Sequence, residues 1–172
     1  MLSISKAKEK NYQAIVDIGS VSVPEANEGS CAPEDLKEYI KNNYNETTIK
    51  KELRDENNIY HILKYEGKAV GFSKIILNAK HPNINAENVA KLDKIYLLKE
   101  FQGLKLGFEL LNHNITFAKN HQQSGIWLFT WVGNLQAIKF YEKTGFKRIA
   151  SHDFYITKTT SNLNHQMFLS FE

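Results

Sequence analysis

Between Ala90 and Phe146 the apolar residues switch twice between strand-like and helix-like spacing, and this alternation restricts the available folds more than any other feature. Ala90 to Leu98 carries the β-compatible Ile95, Tyr96 and Leu97 and reads as a strand. Phe108 to Asn120 places Leu110, Leu111, Ile115 and Ala118 on one side of a helix. Ile126 to Val132 is a continuous apolar run bounded by Gly125 and Gly133-Asn134. It is short for a helix and fits a buried strand. Asn134 then caps a helix through Ala137, Phe140 and Tyr141 to Lys143, and Gly145 sits where a left-handed residue ends it. Strands interleaved with amphipathic helices require a sheet covered by helices.

The flanks extend this pattern. Leu2 and Ile4 alternate with Ser3 and Ser5 as a short strand. Ala14, Ile15 and Ile18 have helical spacing, with Gly19 as the expected stop and Val21 to Ser30 as a loop. Ala32-Pro33-Glu34-Asp35 opens a helix with an apolar stripe of Leu36, Tyr39 and Ile40. Thr47 or Thr48 begins another. Ile59 to Lys64 and Ala69 to Leu77 form a hairpin across Glu66-Gly67-Lys68. Phe146 to Thr157 and Gln166 to Phe171 are the last two strands, joined by a polar loop. With strand hairpins at both ends this is an α/β (α+β) mixture, not the regular alternation of a doubly wound domain.

A length of 172 residues fits one domain, 1–172. The single cysteine, Cys31, rules out an intrachain disulfide and makes a cytoplasmic location the expectation. A net charge of +3 is too balanced for a nucleic-acid binder. No apolar run approaches the ~20 residues of a membrane helix. The histidines lack metal-ligand spacing, so no metal is expected.

Two segments carry chemistry. Gln102-Gly103-Leu104-Lys105-Leu106-Gly107 lies between a strand and a helix, where unpaired N–H groups and glycines let a diphosphate approach the main chain. It lacks the Gly-Lys-Ser/Thr ending of a P-loop. In the second segment, Asn134 to Phe146, periodicity alone makes Tyr141 an ordinary helix-face aromatic.

Together, Gln102-Gly103-x-Lys105-x-Gly107 and Asn134-x-x-Ala137-x-x-Phe140-Tyr141-x-x-x-Gly145-Phe146 resemble the GCN5-related N-acetyltransferase (GNAT) superfamily. Within it, the chain is most similar to bacterial PaiA-type spermidine/spermine N-acetyltransferases. The matching stretches are Ala32-Pro33-Glu34-Asp35-Leu36-Lys37-Glu38-Tyr39, the helix Lys50-Lys51-Glu52-Leu53, Lys94-Ile95-Tyr96-Leu97, Ile126-Trp127-Leu128-Phe129-Thr130-Trp131 and His152-Asp153-Phe154-Tyr155. Two departures stand out. Lys105 occupies the position of the family's first loop glycine, and Val132 replaces an acidic residue.

The resemblance implies a mixed, mostly antiparallel sheet of about seven strands, flanked by four to five helices, with a V-shaped splay between strands four and five. It implies acetyl-CoA as co-substrate. Ile95, Tyr96 and Leu97 would hold its pantetheine. Gln102, Gly103, Leu104, Lys105, Leu106, Gly107 and Phe108 would hold its pyrophosphate. Asn134, Ala137, Phe140 and Lys143 would touch it from the later helix. It implies direct transfer to a primary amine, with Tyr141 as general acid and Asp93 as candidate base; His152 is a second candidate. The expected acceptor is a polyamine held by Glu34, Glu38, Trp131 and His152, with Glu25, Glu28 and Asp35 nearby. Alternatives are another small amine, a protein amine, or a non-catalytic CoA-binding regulator. A homodimer is expected by the same resemblance.

Overall fold

Strand β1 (Leu2–Lys6) leads through a short 3-10 turn (Glu9–Asn11) into helix α1 (Tyr12–Ala26) in the computed structural model, which describes residues 1–172. Helices α2 (Pro33–Asn43) and α3 (Glu46–Arg54) follow, then β2 (Ile59–Tyr65), β3 (Lys68–Ile76) and β4 (Val89–Leu97). A second 3-10 turn (Lys99–Phe101) precedes α4 (Leu106–Asn120), β5 (Gly125–Trp131), α5 (Leu135–Lys143), β6 (Lys147–Tyr155) and β7 (Ser161–Ser170). All seven strands form one sheet in the order β1-β2-β3-β4-β5-β7-β6. Only β4 and β5 pair in parallel; every other pair is antiparallel.

Local chemistry accounts for several boundaries. Asn45 Oδ1 accepts from Thr48 N at 2.8 Å and caps α3, and Asn134 Oδ1 accepts from Ala137 N at 3.1 Å and caps α5. Pro33 opens α2, where its missing N–H does no harm.

Helix α1 differs from expectation. It runs through Gly19 to Ala26, so the loop expected from Val21 is helical in its first half. Gly19 is not a stop. A Cβ there would lie 2.2 Å from the Tyr44 ring, so the glycine admits Tyr44 against the helix. Strand β7 also starts earlier, at Ser161 rather than Gln166, because the polar run pairs with β6 as far as Tyr155↔Ser161.

The helices cover both faces of the sheet. Under α4 and α5 lie Leu111, Ala118, Ile126, Leu128, Phe146 and Met167. On the other face Ile15, Ile18, Val23, Tyr44, Ile49 and Phe72 pack beneath α1 and α3. Two irregularities then shape the middle of the sheet. The β3–β4 register passes from Lys74↔Lys94 to Ile75↔Leu92, leaving Asp93 as a bulged residue. The β4–β5 ladder holds only Val89↔Gly125, Ala90↔Ile126 and Lys91↔Trp127. Beyond Lys91 the two strands diverge.

Candidate active site

The gap between β4 and β5 opens into a cavity of about 1080 Å³. Leu98 N donates to Val70 O on the β3 side at 2.9 Å. Alternation along a strand therefore turns the main-chain groups of Tyr96 toward β3 and those of Ile95 and Leu97 into the gap. Ile95 and Leu97 thus line the cavity. Tyr96 departs from its expected role: its ring packs on Phe72, with centroids 5.7 Å apart, and it gives the cavity only part of a wall.

The head of α4 closes one end. Gly103 has φ +84° and Lys105 φ +62°, and the first helical bond into this turn is Glu109 N to Lys105 O at 3.1 Å. The N–H groups of Gly103 through Phe108 find no acceptor within the chain. A Cβ on Gly107 would meet only Phe140 Cζ at 3.9 Å, and one on Gly103 would meet nothing. Packing therefore does not demand the Gly107 glycine. Free amides, a helix N-terminus and bare main chain facing a cavity suit a diphosphate. Gln102, Gly103, Lys105, Gly107 and Phe108 line the cavity. Leu106 is instead a core side chain, 4% exposed, and Leu104 is half exposed to solvent, so each can contribute only its N–H.

Helix α5 supplies the opposite wall through Asn134, Ala137, Phe140, Tyr141 and Lys143. The Asn134 side chain is already engaged as the cap of α5. Tyr141 is 8% exposed, and its hydroxyl has no hydrogen-bond partner in the chain although it borders the cavity. Burial pushes its phenol well above the ordinary value, so it holds its proton at neutral pH.

On the α1–α2 side of the sheet lies a group of charges. Asp93 is bridged by Lys91 at 3.0 Å and Lys74 at 3.2 Å, with Lys94 at 4.0 Å. Burial alone would raise the Asp93 pKa, but Lys94, Lys91 and Lys74 outweigh it and bring it to about 2. Lys74 also reaches Glu52 at 3.3 Å.

The expected acceptor residues divide. Trp131 lines the cavity, and Glu25 and Glu28 stand at its rim. Glu34 and Glu38 do not line it: α2 turns Leu36 and Tyr39 to the cavity instead. Glu38 and Asp35 border a separate hollow near Thr157. His152 stacks on Phe129, with centroids 4.8 Å apart, and lies outside the cavity wall. Sequence reasoning passed over Lys91 and Lys94, which do line it. The available signal was charge at Lys91, Asp93 and Lys94 within an otherwise β-compatible strand.

A parallel pair that splays, a glycine-bearing helix head and a tyrosine across the gap describe an acetyl-CoA-dependent acyltransferase. Residues 24–146 match the acetyltransferase (GNAT) family. The chain belongs to that family; it is an N-acetyltransferase that uses acetyl-CoA.

An uncharacterised N-acetyltransferase of Lactobacillus delbrueckii subsp. lactis is 24% identical over 153 residues, 89% of this chain and 88% of that protein. The spermine/spermidine N(1)-acetyltransferase of Bacillus subtilis is 30% identical over 93 residues, 54% of this chain and 61% of that one. Among solved structures, the PaiA N-acetyltransferase from Thermoplasma acidophilum in complex with coenzyme A superposes with a TM-score of 0.79. It is 18% identical and the match covers 99% of both chains.

Proposed function

We propose that this protein acetylates a primary amine by direct transfer, with Tyr141 as the general acid. The observation that carries this reading is the buried, protonated and unpartnered Tyr141 hydroxyl bordering the same cavity as the open edge of β4. Bound acetyl-CoA supplies the acetyl group as a thioester. The amides of Gly103 to Phe108 hold its diphosphate, and Lys105 and Lys143 add positive charge nearby. An N–H of the Ile95–Leu97 edge stabilises the carbonyl oxygen as the amine nitrogen attacks. As the new C–N bond forms and the C–S bond breaks, Tyr141 gives its proton to the departing sulfur. The proton released by the amine goes to water, and solvent reprotonates the phenol.

Asp93 is assigned no proton-transfer role. A carboxylate held near 2 by lysines is too weak a base for an ammonium. His152 is assigned none either, because it lies outside the cavity wall.

The polyamine reading draws support from the resemblance to the Bacillus subtilis enzyme and from Glu25 and Glu28 at the rim. Against it stand Glu34 and Glu38, which face elsewhere, and the lysines on the cavity floor. A cytoplasmic location rests on cysteine usage, and no helix is long and apolar enough to cross a membrane. A homodimer through the sheet edge at β6 is consistent with the exposed Phe154 and Tyr155.

Thiol release from acetyl-CoA, followed against a panel of amines, tests the transfer. Tyr141→Phe is expected to lower kcat on the order of 10²-fold. It should barely change the melting temperature, because the hydroxyl it removes holds nothing in the chain. A variant with unchanged kcat would remove Tyr141 from the chemistry.

A further inference from the structure

We propose that the acceptor carries a carboxylate beside its amine, and that Lys94 is the group that recognises it. This rests on the amine-transfer reading above and specifies its substrate class.

The charge group beneath α2 does not balance. It holds three ammonium groups, Lys74, Lys91 and Lys94, and two carboxylates, Glu52 and Asp93. Lys74 lies between the two carboxylates, at 3.3 Å and 3.2 Å, and Lys91 takes Asp93 at 3.0 Å. Glu52 further accepts from the Tyr60 hydroxyl. Lys94 is left with Asp93 at 4.0 Å, an oxygen already shared with Lys74, and makes no hydrogen bond within the chain. Its side chain is only 14% exposed. Burial weakens its hold on the proton, but Tyr39 and Asp93 more than restore it, so the ammonium stays charged.

A nearly buried ammonium without a donor–acceptor partner is unfavourable unless an anion completes it. The chain has no third carboxylate to offer: Glu25 and Glu28 stand exposed at the rim and bridge to no lysine. Lys94 lines the cavity and its Nζ lies 5.3 Å from the Tyr44 ring, with Tyr39 of α2 nearby. It is therefore on the face opposite α4, away from the amides that suit the diphosphate. An anion reaching it would enter with the acceptor.

One surplus charge matches one carboxylate. A polyamine brings no anion and would set further positive charge against Lys94. An amino acid presents both groups, with its amine directed to the gap between β4 and β5.

Matched pairs differing by one carboxylate test this directly: ornithine against putrescine, and lysine against cadaverine. Turnover is followed as thiol release, and binding as the thermal shift of the CoA-loaded protein. The carboxylate-bearing member is expected to have the higher kcat/KM by roughly tenfold to a hundredfold, the scale of a hydrogen-bonded charge pair. Lys94→Met should collapse that ratio toward one, chiefly through KM for the carboxylate-bearing member. Equal or better use of putrescine and cadaverine by the natural chain would overturn the proposal. So would a Lys94→Met variant that loses activity on both members in parallel. Should that variant fail to fold, the natural chain's binding preference decides alone: no preference for the carboxylate member refutes it. If no amine is turned over but ornithine and lysine still shift the melting temperature more than their partners, the transfer reading fails and the role of Lys94 stands.

Discussion

Lys105 occupies a backbone conformation that side chains avoid. At φ +62° it lies in the left-handed region, where a Cβ costs about 1–2 kcal/mol relative to the right-handed form. Glycine would sit there freely, but glycine also gains more freedom on unfolding. The lysine brings an ammonium to the mouth of six unpaired N–H groups, and an anion bound there would feel both. Lys105→Gly is therefore expected to change stability by less than about 1 kcal/mol, toward the stable side, in urea titration. The same change should weaken CoA binding by about threefold to tenfold, measured by calorimetry, and most strongly at low salt. Affinity that rises on substitution would mean that the side chain obstructs the cleft. The lysine itself was plain in the sequence as a departure from a glycine pattern. Its backbone angle and its freedom from any partner were not, because both depend on how the turn closes in three dimensions.

Between β2 and α4 two histidines pack edge to face. The rings of His61 and His113 have centroids 4.5 Å apart, and Phe117 lies 5.0 Å from His61. His61 Nδ1 and His113 Nε2 are buried without a partner. Burial, then the neighbouring His113 and Lys6, bring His61 to a pKa of about 4, and burial lowers His113 as well. Both rings are thus neutral in the folded protein. The unfolded chain binds a proton at His61 near pH 6.5, so unfolding takes up protons between about 4 and 6.5. This contribution to stability is complete above about 6.5 and is lost as the pH falls through that window, about 2 kcal/mol of it by pH 5. Urea titrations at pH 7 and 5 should show the loss, and His61→Phe should flatten it. The two elements behind this were legible: both β2 and α4 follow from apolar spacing. The His–His contact was not, because it depends on register between distant segments. The same limit explains α1 and β7. Gly19 looked like a terminator because its partner, Tyr44, is distant in sequence. Asn162 and Asn164 looked like loop residues because strand propensity disfavours them, yet pairing with β6 overrides propensity.

At the scale of the molecule the sheet is nearly two sheets. β1 to β4 and β5 to β7 are joined by a ladder of three register pairs, and the rest of the divide is cavity. The order of strands and helices and the glycine-bearing helix head could be read from spacing, while the divide itself was implied only by the family resemblance. The balance of charge along the cavity floor could not, since it sums side chains from α3, β3 and β4. A ligand filling the divide touches the β4 edge, the head of α4 and α5 together, and so ties the halves to each other. At a free CoA concentration of 100 times Kd, linkage predicts about 2.7 kcal/mol of added stability. For a chain of this size that is a rise in melting temperature of roughly 5 to 10 °C. Hydrogen exchange should locate the effect. Protection is expected to increase at the amides of Ile95, Leu97 and Gly103 through Phe108, which have no partner in the chain, and to change little across the β1–β2 pairing. A melting shift that leaves Gly103 to Phe108 unprotected would place the diphosphate elsewhere and detach the acyl group from Tyr141.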